Sequence, residues 1–330
     1  MKLQKCLLLA FLVLNGFSQP SISFLEEKEA EGVILSICAN GDIKNPKVRN
    51  ARVNDNSYKC FKGKSLEQSV QFFKRGVETF SNGEKIVIKS YVDLLDSLLS
   101  SEFPVLAKGP WRFILVSDSL KVFLPDTRAG HIIVSRKFVK KMKSWRQNKS
   151  SNFFKGLEIM VNDKVRILQK TNPAPFEQFY QDVWGFIKLK SAPSRKILRE
   201  CLPSTPLSPQ WIMKIDTEEK FILPALIPKT NSNVSKGSLK PVGIVMDSTA
   251  EGYFPKMNDN GEFEYRDLNT LSEYRDLFPL SEYNSHPHEL SADLLSKYLV
   301  KKLVSSRYGT ASVKDGDYSH IGRLIQCFRR

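Results

Sequence analysis

The four histidines (His131, His286, His288 and His320) and four of the five cysteines (Cys38, Cys60, Cys201 and Cys327; the fifth, Cys6, is in the N-terminal apolar run) are the side chains of this 330-residue chain best suited to hold a metal or attack a substrate. The densest group is Ser285-His286-Pro287-His288-Glu289-Leu290-Ser291-Ala292-Asp293. Two imidazoles four apart on a helix, with a glutamate between them, would hold zinc and activate its water. No two histidines here stand four apart. His286 and His288 are two apart, and on a helix such neighbours point to different sides. With Glu289, and with His131 or His320 brought close, they could still ligate a transition metal. The alternative is a plain helix start. Glu289 then favours the N-terminal dipole, Pro287 occupies the first turn where its missing N–H is harmless, and Asp293 makes a local hydrogen bond or salt bridge.

Other chemistries find no foothold. The chain has no G-x-S-x-G nucleophile turn, P-loop, dinucleotide-binding glycine pattern or Cys-x-x-Cys. The carboxylate pairs Glu262/Glu264 and Glu218/Glu219 lie in ordinary polar turns. Asn258-Asp259-Asn260-Gly261 resembles the middle of a calcium loop, but Lys256 stands where an acid is needed and Asp267 where a bidentate glutamate is needed, so a plain turn is expected.

The elements that must position these residues follow from periodicity. Gly32–Cys38 is an apolar run of strand length or a short helix. Leu66, Val70, Phe73, Val77 and Phe80 continue a helix opened by a Ser65/Gln68 capping box, and a second helix runs from Lys85 to Ser101. Trp111–Val116, Leu120–Leu124 and His131–Val134 read as a small antiparallel sheet. Helical pattern resumes at Arg136–Trp145, Asn152–Leu168 and Pro175–Leu189. Trp211–Ile215 and Phe221–Leu226 pair as strands, Val242–Met246 adds another, and Pro287–Val304 is the last clear helix. The fold class is α+β, with helices packed around a small antiparallel sheet.

Met1 to Ser23 has a basic start, an apolar run from Cys6 to Leu14 and a small polar end, which reads as a secretory leader cut after Ser23. The run is about half the length a membrane span needs. A Cys-containing segment, 24–64, and a single domain, 65–330, would remain. Four cysteines in an exported chain fit two disulfides, Cys38–Cys60 and Cys201–Cys327, among three pairings; four free thiols are the other state. The formal charge of +15 falls to +13 once Lys2 and Lys5 are removed. Such a surplus suits an anionic envelope surface or an acidic protein. Nothing in the sequence carries a nucleic-acid motif. The densest basic run, Arg136–Arg146, is a solvated helix packed through Phe138 and Met142 or a membrane-binding helix. In a eukaryote, Asn148-Lys149-Ser150 and Asn233-Val234-Ser235 would be glycosylation sequons.

Val122-Phe123-Leu124-Pro125, then Gly130-His131-Ile132-Ile133-Val134-Ser135-Arg136, and finally Glu289-Leu290-Ser291-Ala292-Asp293, resemble the core of the HtpX-like and CAAX-prenyl-protease-like zinc metallopeptidases. The likeness implies a metallopeptidase-like core whose HExxH helix falls within Phe153–Lys170. Overlay places Val161 and Val165 at the two histidines, Asn162 at the catalytic glutamate, and Glu289 and Asp293 at the third ligand and its neighbour. Valine has no lone pair and asparagine no basic carboxylate. The resemblance therefore implies an exported pseudoenzyme, periplasmic or secreted, that acts by binding and holds no cofactor. The alternatives are a zinc peptidase with other ligands and an unrelated exported α+β interaction protein. Ancestry predicts that Phe153–Lys170 and Pro287–Val304 pack together and bring Val161, Val165 and Glu289 close; an accidental likeness predicts that they do not.

Overall fold

The computed structural model describes residues 21–39, 66–119, 126–148, 152–190, 211–215, 220–228, 239–278, 286–308 and 315–329. The class is α+β, with helices packed against two sheets. The first sheet comprises β1 (Ile22–Phe24), β2 (Val77–Glu78), β3 (Trp111–Val116), β4 (Asp126–Arg128) and β5 (His131–Ser135). It is not the antiparallel meander expected from the strand spacing. β3 runs parallel to both β1 and β5, while β4 and β2 pair antiparallel with β5 and β3. A tight hairpin joins β4 to β5. Ala129 and Gly130 both take positive φ, 44° and 77°, the left-handed pair a two-residue turn requires. That hairpin occupies one edge of β5 and leaves the other to β3. All five residues of β5 are buried, as suits a strand covered on both faces. The expected run Leu120–Leu124 lies outside the described residues.

β1 spans the expected leader boundary. Trp111 N donates to Ser21 O at 2.7 Å and Leu25 N to Phe113 O at 3.0 Å. The expected cut after Ser23 falls within this strand, between Ser23 and Phe24.

The apolar run after Glu26 is helical, as α1 (Glu27–Ala39). The next helix, α2 (Leu66–Arg75), ends sooner than its periodicity suggests, because Val77 and Glu78 are taken by the edge of β3. α3 (Asn82–Glu102) opens with a Ser81/Glu84 capping box that the sequence reading missed. After the single turn α4 (Pro104–Ala107) and the β3–β5 region comes α5 (Arg136–Gln147). Ser135, the last residue of β5, caps it by accepting from Phe138 N at 3.2 Å, and Asp118 Oδ1 accepts from Lys137 N at 2.8 Å.

α6 (Asn152–Thr171) crosses beneath α5. Gly156 permits the crossing: a Cβ there would lie 2.9 Å from the Tyr91 ring and 3.3 Å from Trp145. The helix expected from Pro175 to Leu189 stops early, as α7 (Ala174–Asp182). Gly185, with φ +69°, turns the chain into β6 (Phe186–Lys188). β6 opens an antiparallel second sheet with β7 (Trp211–Ile215), β8 (Lys220–Pro228), β9 (Leu239–Thr249), β10 (Gly252–Pro255) and β11 (Tyr265–Asp267). The expected pairing of Trp211–Ile215 with Phe221–Leu226 is present, as is the strand through Val242–Met246.

Alternation along β7 gives this sheet two apolar faces. Trp211, Met213 and Ile215 enter the main core, and Ile212 joins a separate cluster with Leu223, Val242, Ile244 and Phe263. The Asn258–Gly261 segment is the plain turn expected: Asn258 Oδ1 accepts from Asn260 N and Glu262 N, and Lys256 pairs with Glu264 at 3.0 Å. α8 (Ser272–Leu277), α9 (Pro287–Tyr308), a 3-10 segment (Asp315–Ile321) and α10 (Gly322–Arg329) close the chain.

α6 carries one buried cation. Lys164 is 2% exposed; its Nζ donates to Gly109 O at 2.7 Å and lies 4.9 Å from the Trp111 ring centroid. Burial lowers its pKa from 10.5 to about 8, opposed by the Asp96 carboxylate. The unfolded chain thus keeps a proton that the folded state releases above about pH 8, so stability rises with pH from there toward 10.5. Buried Tyr91, Tyr180 and Tyr274, with raised pKa values, act in the opposite sense once unfolded tyrosines ionise near pH 10. Urea unfolding between about pH 8 and 9.5 should show a gain of about 1–2 kcal/mol, absent in Lys164→Met. A wild-type profile as flat as the variant's would refute the assignment.

Candidate functional site

α6 and α9 form the most extensive helix pair among the described residues. Their shared interface has an apolar part and a polar part. Val161 and Val165, each 1% exposed, lie in the main core with Leu290, Leu294 and Leu295. Asn162 is half-buried beside them.

The polar part is built around the start of α9. His286 caps the helix, accepting from His288 N at 3.2 Å on Nδ1, while its carbonyl accepts from Leu290 N at 3.0 Å. Glu289 follows in the first turn, where the helix dipole favours a carboxylate. That carboxylate accepts a charge-assisted hydrogen bond from Arg166 Nη2 on α6. One turn on, Gln169 Nε2 lies 2.9 Å from His288 O, 2.8 Å from Ser291 Oγ and 3.1 Å from Tyr180 Oη. Tyr180 Oη and Ser291 Oγ are 2.6 Å apart. Lys170 donates from Nζ to Thr127 O at 3.0 Å and to Thr127 Oγ1 at 3.3 Å, joining α6 to β4. Asp293 makes the expected local ion pair, with Lys297 at 3.0 Å.

Cations dominate the surroundings of His288. Its ring stands 5.5 Å from Tyr180 and 4.8 Å from His286, edge to face with the latter. Burial holds its pKa well below the usual imidazole value, and the charges of His286, Lys170 and Lys188 push it the same way. Lys188 itself pairs with Glu177 at 2.6 Å.

The other histidines lie elsewhere in the fold. His131 begins β5 and is paired across the hairpin with Arg128. His320 lies in the 3-10 segment, where its carbonyl accepts from Trp184 Nε1 at 3.0 Å, and burial lowers its pKa. Among the described residues no three His, Cys, Asp or Glu side chains are arranged to hold a metal ion. The structure therefore does not assemble the candidate set His286, His288, Glu289 and His131. Zinc does not fit the overlaid positions either: Val161 and Val165 have no donor atoms, and Glu289 is already neutralised by a guanidinium. Cys327 is an exposed free thiol on α10. With Cys327 free, the expected Cys201–Cys327 bridge is not formed in this structure; the Cys38 side chain and Cys60 lie outside the described residues, and with them the other expected bridge.

Sequence reasoning missed Arg166, Gln169 and Tyr180. A usable signal was present: Arg166 and Lys170 stand four apart on α6, the spacing sought for histidines, five residues beyond the overlaid pair. Comparisons with protein families, with curated proteins and with solved structures find no match.

Removing one partner of the Arg166–Glu289 pair leaves a mostly buried charge without compensation. Glu289→Ala should cost about 1–3 kcal/mol by urea unfolding, and the double variant Arg166→Met/Glu289→Leu markedly less than the sum of the two single changes. Additive losses would mean the two groups do not act as a pair. Acid provides a second test. His288, neutral when folded, regains an ordinary pKa near 6.5 when the chain unfolds, so stability falls as pH drops below about 6.5. His288→Phe should lessen that acid loss; an unchanged profile would show that other groups cause it.

Proposed function

We propose that this chain is an exported, non-catalytic protein that acts by binding, built on a metallopeptidase-like core whose metal position has been replaced by a side-chain ion pair. The observation that carries this reading is the bond from Arg166 to Glu289. A guanidinium presents to that carboxylate the positive charge that a divalent ion would otherwise supply. A guanidinium has no coordination position at which a water could be held and ionised, as a zinc hydrolase requires. Val161, Val165 and Asn162 supply neither ligands nor a base, and Gln169, Tyr180 and Ser291 bond with one another across the same interface. The packing of α6 against α9 is the arrangement that common ancestry with such peptidases would require.

Export is inferred from the leader-like residues 1–23. No helix among the described residues is long and apolar enough to cross a membrane. The net charge of +15 points the binding role toward anionic partners.

Mass-spectrometric metal analysis tests the reading, on protein produced with zinc supplied and on its Glu289→Ala variant. We expect no stoichiometric zinc in either, the variant differing only in stability. One zinc per chain in the wild type, lost in the variant, would restore a zinc peptidase with ligands not recognised above.

A further inference from the structure

α5 gathers exposed cations on a single helix without acids. α5 reads RKFVKKMKSWRQ and contains no acidic residue. Its first residue, Arg136, is engaged by Glu78 at 3.0 Å and Glu84 at 3.3 Å. The next five, Lys137, Lys140, Lys141, Lys143 and Arg146, are exposed, and none meets a carboxylate within ion-pair distance among the described residues. Several cations elsewhere do pair with carboxylates: Lys89 with Asp93, Lys188 with Glu177, Lys256 with Glu264 and Lys302 with Glu102. Unmatched like charges on one helix repel each other and lower its stability, and an anionic partner would relieve that repulsion.

The chemistry of α5 selects the kind of partner. Phe138, Val139 and Met142 are buried in the core, and the half-buried Trp145 ring packs edge to face on Phe138 at 6.0 Å. The exposed large apolar residues, Ile86, Phe254 and Met257, all lie off this helix. The only partly exposed apolar side chain of α5 is thus Trp145, whose ring is held against Phe138, which leaves little to insert among acyl chains or to anchor a protein interface. What it offers is a row of charges: Lys137, Lys140 and Lys141 are neighbours at helical spacings of three and four, about 5–6 Å between Cβ atoms. A flexible polymer carrying regularly spaced anions can follow such a row.

We propose that the exposed face of α5 is the docking surface for a linear, phosphate-bearing polymer. The proposal rests on the reading of the chain as a binding protein and names the surface and the partner class. Binding is electrostatic and weakens steeply with salt.

The test uses full-length protein and labelled long-chain inorganic polyphosphate, read by fluorescence anisotropy at low salt, beside sedimentation with phosphatidylglycerol vesicles. Lys137→Glu/Lys140→Glu/Lys141→Glu is compared with Lys28→Glu/Lys108→Glu/Lys190→Glu, which makes the same change in net charge at exposed sites off α5. Circular dichroism checks that both remain folded. We expect the α5 variant to lose about tenfold or more in polyphosphate affinity and the control less than about threefold. That result upholds the proposal whether or not vesicles adsorb the protein. Equal losses in the two variants would reduce the effect to net charge and overturn it. So would absence of polyphosphate binding, or binding to vesicles alone. Zinc content measured on the same preparations reports separately on the non-catalytic reading, so either inference can fail without the other.

Discussion

α6 is buried along much of its length, and the polar groups it buries call for partners on other elements. Asp163, Lys164 and Gln169 are all at most 3% exposed, in a helix that also buries Leu157, Met160, Val161 and Val165. Leaving such groups unpaired would cost about 1–3 kcal/mol each, more for a charge. The surrounding fold answers Lys164 and Gln169, and the half-buried Arg166 between them. Lys164 reaches the Gly109 carbonyl and the face of Trp111. Gln169 is met by Tyr180 from α7 and Ser291 from α9, and Arg166 by Glu289. These bonds fix the rotation of α6 about its axis, because a turned helix would strand several charges at once.

The same helix links the two sheets. Lys170 ties it to β4 of the first sheet, and Tyr180, which bonds Gln169, stands edge to face with Trp211 of the second at 5.4 Å. The aromatic layer continues through Trp184 to Phe278, 4.9 Å apart. Edge-to-face rings and directional hydrogen bonds tolerate little sliding. A cleft between α6 and α9 would have to break this network to open.

Charge is distributed unevenly between interior and surface. Inside, each carboxylate near α9 has a cation: Glu289 has Arg166, and Asp293 has Lys297. Outside, α5 gathers exposed cations without acids. Interior pairing sustains the fold at neutral pH, while the surface surplus adds a field that reaches roughly a Debye length, about 8–10 Å, into solvent. The two parts of the charge distribution serve separate ends, since α5 is fixed to the body by Phe138, Val139 and Met142 and not by its lysines.

The sequence by itself determined the elements that depend on short-range pattern. The three- and four-residue repeats of α3, α5, α6 and α9, the alternation in β7–β9 and the Asn258–Gly261 turn were all legible, because side-chain spacing sets local burial directly. The missing HExxH pair was equally plain. Only the tertiary structure decided what spacing does not encode. Strand runs at Trp111–Val116 and His131–Val134 carry no label of direction, and the structure pairs them parallel, with β4 on the other edge of β5. Val77 and Phe80 continue a helical period, yet pairing with β3 turned Val77 and Glu78 into a strand. Glu289 reads as a metal ligand or a dipole partner until α6 presents Arg166 to it, a contact between residues 123 apart in the chain. Long-range charge partners are chosen by how helices cross, and the crossing of α6 depends on Gly156 fitting beneath Tyr91 and Trp145.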